Sequence, residues 1–136
     1  MSSVWSNFTE YIINNYYNSH KIVEVGVGKI VEPSNILKEN LPKTEILLVD
    51  IYPSNNEIIK DDITNPTDNI YENADLIYSI RPPEELQRDI LNLGLKYKSD
   101  IIIKPFFTEE INYNLQKKLN LVNYKRTAFY LHKESR

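Results

Sequence analysis

Lys21-Ile22-Val23-Glu24-Val25-Gly26-Val27-Gly28 is the stretch that decides how this chain is read. β-Branched residues fill its first half, and their stiff side chains favour an extended strand. An acid interrupts the run, and two glycines follow where a strand would turn toward a helix. The pattern reads as the first strand of a nucleotide-type α/β domain, with a ligand loop at its carboxyl end.

Similar runs recur downstream. Glu45-Ile46-Leu47-Leu48-Val49-Asp50 reads as a second apolar strand closed by an acid, and 57–60 as a weaker third that leads into Asp61-Asp62. A fourth strand spans 74–80, punctuated by Arg81-Pro82-Pro83, and a fifth is Asp100-Ile101-Ile102-Ile103-Lys104. Between them, helical spacing predicts helices over 33–41, 83–97 and 108–119, with 68–73 a loop or helical turn. Ahead of the first strand, Val4, Phe8, Tyr11, Ile12 and Tyr16 predict a packing helix over 4–17; the rival reading is a partner-binding aromatic face around Trp5. Gly94 weakens the helix over 83–97 locally. Residues 121–133 supply one or two terminal strands. Alternating strands and helices imply a mostly parallel sheet covered on both faces.

At 136 residues the chain fits one domain, 1–136: a packing helix over 1–19, a ligand-binding core over 20–104, and a terminal helix and strand over 105–136. Hydrophobic residues at 41% and charged residues at 26% are ordinary globular values, so neither disorder nor a fibrous class is indicated. A net charge of −3 gives no long-range attraction to nucleic acid or anionic membrane, leaving only a local basic patch as a route to RNA. Absent cysteines remove disulfides, thiolate catalysis and Cys-ligated metal, and fit a reducing cytosol. With His20 and His132 the only histidines, the reading assigns no metal site. No signal peptide or apolar run of spanning length is visible, so the expectation is a cytoplasmic protein without a membrane partner.

Gly26 and Gly28 match the first two positions of G-x-G-x-x-G, but Val31 stands in the sixth, and the missing glycine weakens a dinucleotide reading. A cofactor without phosphates asks only for close backbone approach and a polar anchor, for which Glu24 is placed. Asp50 at the end of the second strand can accept both hydrogen bonds from a vicinal diol, and would oppose a 2′-phosphate. Asp62, after the third strand, can accept from an adenine amino group. The plainer reading of each is a solvated strand-end acid or a helix cap.

Glu24-x-Gly26-x-Gly28, then Asp50, then Asp62-Ile63, resembles the S-adenosylmethionine-binding half of the Rossmann-like methyltransferases. The resemblance implies a three-layer αβα, mostly parallel sheet. It implies that Glu24 and the backbone of Gly26, Val27 and Gly28 approach the methionine portion, that Asp50 holds the ribose with Ile51 beside it among the cofactor-binding residues, and that Asp62 and Ile63 hold the adenine. Tyr78 and Ser79 join the cofactor side. Together, Glu24-Val25-Gly26-Val27-Gly28 and Tyr78-Ser79-Ile80-Arg81-Pro82-Pro83 resemble a small archaeal family of uncharacterised, methyltransferase-related Rossmann proteins.

Arg81, Pro82 and Lys104 are the candidates for contact with a methyl acceptor, because a guanidinium fork can hold a carboxylate or phosphate while the prolines fix the backbone. Lys104-Pro105-Phe106-Phe107 ends the fifth strand and has two readings, a wall of the pocket or, for the two aromatics, the core on the usual burial of phenylalanine. No catalytic base is assigned. The leading reading is an S-adenosylmethionine-binding, methyltransferase-like protein whose acceptor and oligomeric state the sequence does not name. Its rivals are a non-catalytic ligand-binding or scaffold module and an NAD-binding oxidoreductase.

Overall fold

The computed structural model describes residues 4–107 and 110–134. The elements run α1 (Ser6–Asn15), β1 (Lys21–Val25), α2 (Glu32–Asn40), β2 (Glu45–Asp50), β3 (Ile58–Lys60), α3 (Asp68–Tyr71), β4 (Leu76–Ile80), a 3-10 turn (Glu84–Leu86), α4 (Gln87–Tyr97), β5 (Asp100–Lys104), a second 3-10 turn (Tyr113–Leu115), β6 (Asn120–Tyr124) and β7 (Thr127–His132). One seven-stranded sheet has the order β3-β2-β1-β4-β5-β7-β6. Strands β1 to β5 are parallel, while β7 is antiparallel to β5 and β6 to β7. Strand order reverses between β1 and β4, which opens a crevice at their carboxyl ends.

Alternation along the strands sorts side chains into two cores. Ile22, Leu76, Tyr78, Ile80 and Ile102 pack against Phe8, Ile12 and Tyr16 of the α1 segment and Leu37 of α2. On the opposite face Val23, Val25, Ile77, Ile101 and Ile103 meet Ile70 and Tyr71 of α3, Ile90, Leu91 and Leu93 of α4, and the segment carrying Ile111, Leu115 and Leu119. The expected three-layer αβα arrangement is present. Each such aliphatic contributes about 1.5–3 kcal/mol by leaving water.

Two expectations are corrected, one alternative is resolved, and one glycine gains a reason. Val4 is exposed and precedes α1, and Trp5, 7% exposed, takes the inner position instead. Of the two readings of 68–73, the turn of helix is the one that forms, because Ile70 and Tyr71 are buried and the Tyr71 hydroxyl donates to Asp61. Gly94 is a packing residue: a Cβ there would collide with the Ile101 side chain and with the Ser99 carbonyl, so its absence lets α4 settle on β5.

The helix expected over 108–119 is the second correction. Thr108 and Glu109 lie outside the described residues, and from 110 to 119 the backbone forms short turns, among them the 3-10 turn Tyr113–Leu115, instead of a helix. Asn112 is the cause. Its side chain accepts from the Asn114 N–H, and its own N–H donates to the buried Gln87, whose amide also donates to the Glu110 carbonyl. Asparagine competing for backbone groups favours turns over helix interiors.

Asp100, buried at the start of β5, gathers distant parts of the chain. It accepts from the Tyr16 hydroxyl below α1 and from the Glu134 N–H beyond β7, and pairs with Lys133 at 3.4 Å.

Candidate functional site

The β1–α2 loop is held by its own backbone. The N–H groups of Gly26 and Val27 both donate to the Val49 carbonyl, at 2.9 and 3.3 Å. Gly26 has φ +69°, a conformation nearly free of cost only without a Cβ. The Gly28 N–H donates to Asp50 Oδ2 at 2.7 Å, and the Tyr52 N–H to Asp50 Oδ1 at 2.9 Å. Two backbone amides therefore orient the Asp50 carboxylate, and each oxygen keeps a further acceptor position. Ser54 closes the loop by donating to the Gly28 carbonyl.

Beside that carboxylate is a cleft of about 300 Å³, lined by Gly26, Val49, Asp50, Ile51, Asp61, Asp62, Ile63, Pro83 and Leu86. Its floor is aliphatic and its wall carries three aspartates. Asp61 accepts from the Thr67 N–H and hydroxyl and from Tyr71. Asp62 accepts from the Thr64 hydroxyl and N–H, both on Oδ1, and these bonds hold its carboxyl below the usual range.

Of the residues read from sequence, Gly26, Asp50, Ile51, Asp62 and Ile63 meet in this cleft, while Gly28 is joined to it through Asp50. Others sit elsewhere. Val27 is buried with Leu48 and Ile58 beneath the loop. Ser79 lies directly behind Gly26, donating to the Val25 carbonyl. Glu24 and Tyr78 form a buried pair on the α1–α2 side, the tyrosine hydroxyl donating to Glu24 Oε1 at 2.7 Å. Burial pushes the Glu24 carboxyl up to about 8, although the Tyr78 hydrogen bond and the Lys38 charge pull the other way.

A second, wider hollow of about 640 Å³ adjoins the first and shares Pro83 with it. Arg81 and Pro82 line it, but Lys104 does not: its ammonium donates to the Ala128 carbonyl of β7. Partial burial, and then the nearby Arg81 charge, pull the Lys104 pKa down. Of the two readings of Phe106 and Phe107, the pocket wall is the one that forms: each keeps over half its surface exposed in this hollow rather than entering the core. Sequence reading also missed Asp61, Leu86, Glu84 and Glu110. The tandem Asp61-Asp62 was the available signal for the first; the others depend on how the connections fold. Among the described residues no group of three or more potential ligands could hold a metal, and no helix is long and apolar enough to cross a membrane.

With this geometry in view, a family model described as "Uncharacterised protein family (UPF0146)" matches residues 5–134. The chain belongs to that family. A UPF0146 protein of Methanothermobacter thermautotrophicus is 39% identical over 127 residues, covering 93% of either chain, and one of Archaeoglobus fulgidus is 35% identical over 90% of this chain and 89% of its own. Among solved structures, an S-adenosylmethionine-dependent O-methyltransferase of Thermotoga maritima superposes on all of this UPF0146 chain and 68% of its own, with TM-score 0.68 and 11% identity. A methyltransferase of Silicibacter pomeroyi covers 98% of this chain and 100% of its own, with TM-score 0.58 and 13% identity. At these identities the likeness shows a methyltransferase-like fold.

Proposed function

We propose that this UPF0146 protein binds S-adenosylmethionine in the cleft beside Asp50 and acts as a methyltransferase. The observation that carries the reading is the Asp50 carboxylate, oriented by the Gly28 and Tyr52 amides at the edge of an aliphatic cleft. A diol needs such an acceptor, and a charged acceptor makes the stronger bond. The donor set fits an adenosyl group: Ile51, Ile63 and Leu86 offer apolar surface for a flat base, and Asp62 Oδ2 keeps its lone pairs for an amino group.

The same loop disfavours a pyrophosphate. Its Gly26, Val27 and Gly28 amides are spent on Val49 and Asp50, and Glu32 occupies the first turn of α2. Three aspartates on one wall repel phosphate and favour a ligand bearing positive charge. An NAD-dependent reading loses support on both counts. The plantazolicin methyltransferase BpumL, solved with S-adenosylhomocysteine, shares the fold at TM-score 0.57 and 20% identity, which supports the adenosyl reading by analogy.

When bound, the cofactor supplies an electrophilic methyl group on a sulfonium. This chain's part is to hold the sugar through Asp50, keep the loop backbone close through Gly26, and bring an acceptor alongside, since alignment alone can supply much of the acceleration. A second reading, a binding module without turnover, is favoured by one observation: Lys104 and Glu24 are already engaged by Ala128 and Tyr78.

Calorimetry with S-adenosylmethionine, S-adenosylhomocysteine and NADH tests the proposal. Heat with the first two, lost in Asp50→Ala, is expected. Tight NADH binding with neither adenosyl ligand bound overturns it.

A further inference from the structure

Arg81 occupies a costly position for what it contacts within the protein. Its φ is +54°, in the left-handed region that a side chain of this size rarely adopts. The Arg81 N–H is pinned to the Lys104 carbonyl at 2.6 Å, and Pro82 and Pro83 stiffen the backbone on its carboxyl side. Strain of this kind persists where the surroundings aim a group, and it concentrates at ligand clamps. The aim is visible here. The guanidinium lies over the Phe106 ring at 4.3 Å and the Trp5 ring at 5.4 Å, so two aromatic faces orient its plane.

Among the described residues nothing consumes the fork itself. Arg81 is exposed, and among the described residues it makes no ion pair, although Glu84 and Glu110 line the same hollow. Glu110 is turned to its own turn, accepting from the Phe107 N–H at 2.7 Å. Beside the fork, Phe106 and Phe107 meet edge to face at 4.7 Å and leave most of their surface to solvent. An exposed apolar pair rimmed by charge is the composition of a ligand groove.

We infer that this hollow receives an aromatic carboxylic acid, its carboxylate held by the Arg81 guanidinium and its ring laid against Phe106 and Phe107. A planar monoanion matches a bidentate fork. A dianion such as a phosphate monoester meets stronger opposition from Glu84 and Glu110 than a carboxylate does. Pro83 lines both this hollow and the cleft, which sets the bound acid next to the cofactor position and makes it the methyl acceptor. That last role rests on the adenosyl reading above; the acid site does not.

Trp5 is the only tryptophan in the chain and lies against Arg81, so its indole N–H is an isolated NMR signal at the site. The full chain is titrated with benzoate, benzamide, acetate and inorganic phosphate, with and without S-adenosylhomocysteine. Benzoate is expected to shift the Trp5 indole and the Phe106 and Phe107 amides, with benzamide and acetate each about tenfold weaker. Arg81→Gln, which keeps the same backbone demand, is expected to weaken benzoate about tenfold, and Arg81→Lys, which keeps charge without the fork, to weaken it less. Benzamide matching benzoate, phosphate displacing it, or no benzoate shift under either condition overturns the inference. S-adenosylhomocysteine binding without benzoate binding sinks this site and leaves the cofactor reading standing. Benzoate binding without S-adenosylhomocysteine binding keeps the acid site and removes its methyl-acceptor role.

Discussion

Tyr78 and Glu24 are register partners on adjacent parallel strands, and the tyrosine hydroxyl closes on the carboxyl across 2.7 Å with both side chains buried. An ionised carboxylate in that setting is costly, so the proton stays on at neutral pH. The same burial, with Glu24 beside it, holds the Tyr78 phenol above its ordinary range. The pair is a neutral hydrogen-bonded unit buried on the α1–α2 side of the sheet.

Stability should therefore fall with rising pH through a defined window. Below the ordinary carboxyl value of 4.5 folded and unfolded chains both hold the proton, and the full contribution is present. From there to about 8 only the folded chain holds it, so each further step up in pH lowers stability. Above about 8 both have released it and the slope vanishes. Glu24→Gln mimics the protonated form and should flatten the profile. Urea denaturation across the window checks this, and parallel slopes for the two proteins would rule it out.

Asp50 should matter to the apo protein as well. Asp50→Ala strips an acceptor from the Gly28 and Tyr52 amides, at a cost of about 1 kcal/mol given that both bonds lie near solvent. Asp50→Asn keeps one carbonyl acceptor and should lose less. Thermal melts without ligand give the ranking.

Gly94→Ala should destabilise by about 2 kcal/mol or more, even though alanine is the better helix former by about 1 kcal/mol. The added methyl meets Ile101, so the penalty should shrink in an Ile101→Ala background. A double-mutant cycle measures the coupling. Additive losses would mean that the contact is not what Gly94 serves.

Gln87→Ala should cost about 1–3 kcal/mol by leaving the Asn112 N–H and the Glu110 carbonyl without their partner. Hydrogen exchange at the Asn112 amide should accelerate more than at amides in β5.

Much of the architecture was legible because strand and ligand signals were local. Apolar runs ended by Glu24-Val25-Gly26 and by Asp50 marked β1 and β2, and the acids after β2 and β3 do meet in one cleft. What escaped the sequence was set by distant partners. Glu24 looks like a polar anchor until Tyr78, far along the chain, is seen to cap it. Ile111, Leu115 and Leu119 are spaced as a helix would space them, yet the side chains of Gln87 and Asn112 bend that backbone into turns and still bury all three. Phe106 and Phe107 carry core chemistry, but the connection after β5 delivers them to the surface.

Asp100 has a mechanical consequence. One carboxylate fastens the foot of α1 and the backbone just past β7, so prying up the helix loosens the outgoing strand as well. Under force or heat, the cover over one face and the antiparallel margin should come away in one event rather than peel off in turn.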